Sequence, residues 1–109
     1  MQSYYRIDAV SERIRNASKG WGCHMWSNLL DDEAPHREIL IRIAASHPEA
    51  GIILPEYDRY EDYVEATASW GGATVNIYYE TICSQILIWS KNREAVEGFR
   101  KVLLAHIQN

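Results

Sequence analysis

The stretch from Tyr63 to Glu80 constrains the fold more than any other part of the chain. Val64, Ala66, Ala68 and Trp70 alternate with Tyr63, Glu65, Thr67 and Ser69. After Gly71-Gly72, Ala73, Val75, Ile77 and Tyr79 alternate with Thr74, Asn76, Tyr78 and Glu80. A period of two marks strands, because successive side chains point to opposite faces. Two adjacent glycines supply the positive φ angles that a two-residue hairpin turn requires. Such a turn pairs Trp70 with Ala73, Ala68 with Val75, Ala66 with Ile77 and Val64 with Tyr79. All eight are apolar or aromatic, and a one-residue slip would scatter them over both faces. One face of this hairpin therefore needs a covering layer.

The rest of the chain is read around that hairpin. Ile7, Val10, Ile14 and Ala17 recur at helical spacing, predicting a helix from about Ser3 to Ser18, with Ser3 as cap and Gly20 as stop. Residues 20–30, with two glycines and two tryptophans, have no clean period and are expected to form a packed loop with at most a short strand. Asp31-Asp32-Glu33 and Pro35 suit a helix start, Ile39, Leu40, Ile43 and Ala44 its buried face, and Pro48 its end. Ile52-Ile53-Leu54 is a brief strand or buried turn. Gln85 to Trp89 is a third strand. A last helix runs from about Asn92 to His106, burying Val96, Phe99, Leu103 and Ile107. The expectation is one α+β domain over all 109 residues. It is a two-layer sandwich with a mostly antiparallel sheet of three to four strands and helices on one face.

Charge narrows the partners. Residues 1–50 hold 7 acids and 6 bases, residues 51–90 hold 6 acids and only Arg59, and residues 91–109 hold 2 acids and 4 bases. The net charge of −4 is thus concentrated in mid-chain. Phosphate binding needs clustered Lys and Arg, so nucleic acid is not the expected ligand, nor is an anionic membrane surface. No apolar run approaches the roughly 20 residues of a membrane helix. The first residues lack the apolar core of a signal peptide, so a cytoplasmic location is expected.

Motifs for catalysis are missing. His24, His36, His47 and His106 show no metal-binding spacing, and Gly71-Gly72 belongs to a hairpin rather than a phosphate loop. Cys23 and Cys83 are far apart and form no CxxC pair; the expected state is reduced and buried. The acids at 31–33 are accounted for by helix capping. No enzyme activity, metal or cofactor is expected. The alternative is a small enzyme or ligand-binding domain with a site near Trp21, Cys23, His24 and Trp26.

The unusual segment is Glu56 to Glu65, where ten residues hold five acids and three tyrosines. Tyrosine offers broad, rigid contact area with a polar tip, and carboxylates between the rings steer a basic partner. The expected partner-binding set is Tyr57, Asp58, Tyr60, Glu61, Asp62, Tyr63 and Glu65. With its size and charge, the chain resembles the small acidic immunity proteins that bacteria use against their own nuclease toxins, including those of contact-dependent inhibition. That resemblance implies a cytoplasmic protein that binds and blocks a basic toxin domain.

Overall fold

The structure is a computed structural model, and it describes residues 5–27, 34–55, 63–80 and 85–107. In chain order the elements are β1 (Tyr5–Ile7), β2 (Ser11–Arg15), β3 (Ser18–Ser27), α1 (Ala34–Ser46), a 3-10 turn (Pro48–Ala50), β4 (Tyr63–Trp70), β5 (Ala73–Glu80), β6 (Gln85–Ser90) and α2 (Arg93–Ile107). The six strands form one antiparallel sheet in the order β1-β3-β6-β5-β4, with β2 also paired to β3. Both helices pack on one face, giving the α+β sandwich that the hairpin demanded.

The β4–β5 hairpin has the register derived from its pattern, from Tyr63↔Glu80 to Trp70↔Ala73. Gly71 and Gly72 have φ of 58° and 81°. Ala66, Ala68, Val75 and Ile77 are buried, while Glu65, Thr67 and Ser69 are exposed. The short apolar run at 51–55 forms a single bridge, Ile53↔Thr67, on the outer edge of β4. Asn92 caps α2 by accepting the Ala95 N–H on its side-chain oxygen at 3.1 Å. Ala95, Val96, Phe99 and Leu103 of α2 and Ile39, Leu40 and Ile43 of α1 join Cys23, Met25, Ile77, Ile86 and Ile88 in one core.

The N-terminal segment corrects the sequence reading. It is not a helix but an edge strand in two pieces, and the expected loop from residue 20 is the ten-residue strand β3. The expected caps at Ser3 and at 31–33, and residues 28–30 of the expected loop, lie outside the described residues. Register shifts by one between Ile7↔Met25 and Ser11↔Gly22, so three residues, 8–10, face two, 23–24. This is a β-bulge. It lets both Ile7 and Val10 pack against the core, three residues apart, which mimics a helical stripe. Ile14 is 69% exposed and belongs to no buried stripe.

The β2–β3 turn was hidden for a related reason. Arg15 pairs with Ser18, leaving Asn16 and Ala17 as the two-residue loop, with φ of 51° and 64°. This is the same positive-φ geometry as Gly71-Gly72, built without glycine. A left-handed alanine costs about 1–2 kcal/mol relative to its usual conformations. Gly at this position would lose somewhat more chain entropy on folding. Ala17→Gly is therefore expected to raise stability by about 1 kcal/mol, a Tm increase of roughly 4 °C. Thermal denaturation checks it, and an unchanged or lower Tm would refute the assigned turn.

Candidate functional site

Alternation along β3 decides what its chemistry-bearing residues can do. Cys23 and Met25 point to the helices and are fully buried, while Gly20, Gly22, His24 and Trp26 take the opposite, helix-free face. Trp21 shares the parity of Cys23, and the Arg93 guanidinium lies 4.7 Å from its ring centroid. The four residues of the alternative site are therefore divided by the sheet and enclose no common pocket. Burial pushes the Cys23 thiol up to about 12, with a smaller push from the Asp8 carboxylate, against opposing pulls from Arg100 and Arg13. At neutral pH it is a protonated core thiol rather than a nucleophile.

His24 is committed to a structural network. Arg13 Nη1 lies 2.7 Å from His24 Nδ1. A guanidinium only donates, so Nδ1 is the acceptor in this contact. Arg13 Nη2 donates to Asp8 Oδ2 at 3.0 Å, and the His24 backbone N–H donates to Asp8 Oδ1 at 2.7 Å. Asp8 lies in the bulge, where its own N–H donates to the His24 carbonyl at 3.0 Å. Its carbonyl turns away to accept Arg100 Nε of α2 at 2.7 Å. The Asp8 carboxylate thus replaces the ladder bond that the bulge removes.

Around this network the helix-free face carries rings and guanidiniums. His24 stacks on Trp26 with centroids 5.5 Å apart, and Arg6 lies 5.3 Å from the Trp26 centroid. Arg15 lies 3.7 Å from the centroid of Tyr78, two strands beyond β3. The β2–β3 hairpin therefore leans across this face. Gly20 and Gly22 give it room: a Cβ on Gly20 would lie 2.4 Å from the Trp89 ring, and one on Gly22 2.7 Å from the Ile88 carbonyl. Trp89 is consequently 7% exposed although no described helix covers it.

Pairing places the expected residues on this map. Tyr63, Glu80, Gln85, Trp26 and Arg6 form one row across the sheet, and Glu65, Tyr78, Leu87 and His24 form the next. Tyr63 is at the start of β4, and Glu65 is exposed on the helix-free face. Tyr57, Asp58, Tyr60, Glu61 and Asp62 lie outside the described residues, as does Cys83. The face is polarised: Arg6, Arg13 and Arg15 occupy the β1–β2 side and Glu65 the β4 side. Among the described residues, no group of three His, Cys, Asp or Glu could hold a metal ion. No helix among them is long and apolar enough to cross a membrane.

Family models, curated proteins and solved structures yield no match to this chain. The site is therefore read from its own residues. Sequence reasoning placed Tyr78 beside Glu65 on the polar sheet face but missed Arg6, Arg13 and Arg15 as parts of the same surface. The available signal was the alternation Gly22-His24-Trp26 against Cys23-Met25, small or apolar on one face and ring-bearing on the other.

Proposed function

We propose that this domain is a protein-binding module whose helix-free sheet face, extended by the acidic stretch at 56–62, docks a basic protein domain. The finer reading is an immunity-type inhibitor, acting in the cytoplasm on a nuclease toxin. The observation that carries the docking role is the make-up of the exposed face: Trp26, His24 and Tyr78 interleaved with Arg6, Arg13 and Arg15, with Glu65 on the β4 side; the choice of a basic partner rests on the mid-chain excess of acids. Tryptophan, tyrosine and arginine are the residues enriched at protein interfaces and their hot spots. A nucleic-acid strand suits this face less well. Guanidiniums already lie against the Trp26 and Tyr78 rings on which bases would stack, and the β4 side would repel phosphate.

Affinity capture with the whole chain, followed by calorimetry on the captured protein, tests the reading. The expected binder is basic and loses its activity at one equivalent of this chain. Changing Asp58, Glu61 and Asp62 together to Ala is expected to weaken binding about tenfold or more, mainly through slower association, with Tm unchanged. Trp26→Ala is expected to weaken it through faster dissociation. Equal affinity in the triple variant would remove the acidic stretch from the interface. A binder that stays fully active at saturation would sink the inhibitor reading.

A further inference from the structure

We infer that the groove between β5 and the β6–α2 junction is a binding site for a small aromatic anion, distinct from the protein-docking role proposed above. The groove has a volume of about 560 Å³ and is lined by Ala73, Thr74, Asn76, Trp89, Ser90, Lys91 and Asn92. That volume lies within the range of roughly 300–1,000 Å³ typical of small-ligand sites.

Its chemistry is selective. In a chain of net charge −4, none of the seven described lining residues is acidic and one, Lys91, is a cation. Asn92, on the same wall, is the residue that caps α2, so the positive end of the helix dipole borders the groove. Glu94 in the first turn of α2 is not among the lining residues. Ala73 and the small exposed part of Trp89 give the groove its apolar lining. Thr74 and Asn76 supply a hydroxyl and an amide at the β5 wall. The Asn76 amide holds the Trp89 carbonyl only through a 3.5 Å contact, so it can turn toward a ligand at small cost. Ser90, by contrast, is committed: its hydroxyl donates to the Thr74 carbonyl at 2.7 Å and accepts the Asn92 N–H at 3.1 Å, which makes the floor rigid. A rigid floor with one cation and a loosely held amide on its walls fits a ring bearing a carboxylate or a phosphate.

The test is an amide NMR titration of the whole chain with 4-hydroxybenzoate and, separately, uridine 5′-monophosphate, with phenol and uridine as uncharged controls. The expected result is saturable shifts at the backbone amides of Thr74, Asn76 and Lys91 and at the Trp89 indole N–H. One anion arm is expected to bind at least tenfold more tightly than its control, and the stronger arm identifies carboxylate or phosphate as the preferred group. Lys91→Glu, at an exposed position, is expected to weaken that arm tenfold or more with an unchanged Tm. Asn76→Leu is expected to weaken it without altering charge. No saturable shift in either arm up to about 10 mM, shifts centred elsewhere, or equal binding in Lys91→Glu would each overturn the assignment.

Discussion

Gly20→Ala should destabilise this domain by about 3 kcal/mol, although it adds a single methyl group. The added Cβ would stand 2.4 and 2.5 Å from the Cζ2 and Cε2 atoms of Trp89 and 2.8 Å from the Ser90 carbonyl oxygen. Neither neighbour can yield easily. Trp89 is 7% exposed and packed, and Ser90 is part of the β6 ladder, with its side chain bonded to Thr74. Relief requires β3 to move away from β6 or the indole to leave its seat. The fall in Tm is expected to be on the order of 10 °C by thermal denaturation. Trp89→Phe separates this cause from a mere propensity effect. The Trp89 indole N–H has no hydrogen-bond partner among the described residues, so phenylalanine loses no bond there. In the Trp89→Phe background the alanine penalty should shrink by about 1 kcal/mol or more, a coupling a double-mutant cycle reads directly. An unchanged penalty would show that the ring does not seat on Gly20.

Asp8→Ala is expected to cost about 2–3 kcal/mol, from a residue in an irregular part of an edge strand. The carboxylate accepts the His24 N–H and the Arg13 guanidinium, and hydrogen bonds to a charged group contribute about 1.5–3 kcal/mol each when partly buried. The ion pair itself adds little, because the Arg13 and Asp8 side chains are 23% and 35% exposed. The larger share comes from leaving a strand N–H without an acceptor. Asp8→Asn tests that division. Its amide oxygen can still accept the His24 N–H while the charge toward Arg13 is gone, so it should lose well under half as much as alanine. Denaturant unfolding measures both variants. An asparagine variant as unstable as the alanine one would mean that the ion pair, not the ladder substitute, holds the bulge. Loss of Asp8 also removes the carboxylate that holds Arg13 and the His24 backbone N–H, so the same variants report whether partner binding needs that anchor.

These two sites show where sequence reading stops. The β4–β5 hairpin was legible to the register because local rules agreed: strict alternation, a turn of two glycines, and one face wholly apolar. Helix α2 was legible for the same reason, with Asn92 as cap and Val96, Phe99 and Leu103 at helical spacing. Tyr63 and Glu65 could be assigned to the polar face of a strand, because parity alone determines it. Nothing comparable marked the first 27 residues. Ile7 and Val10 are three apart only because a bulge inserts a residue between two inward positions, and Asn16-Ala17 turns the chain without the glycine that announces such a turn.

What the amino-acid sequence determined by itself was the fold class, one hairpin with its register, two helices, and the mid-chain concentration of negative charge. What only the tertiary structure decided was that β3 lies inside the sheet between β1–β2 and β6. That placement buries Cys23, turns His24 and Trp26 to the opposite face, and brings Arg6, Arg13, Arg15 and Tyr78 onto one surface. The reason is physical. Alternation and capping act between residues a few positions apart, whereas a bulge and a glycine seat for Trp89 exist only through contacts between distant segments, such as Asp8 with Arg100 and Gly20 with Trp89.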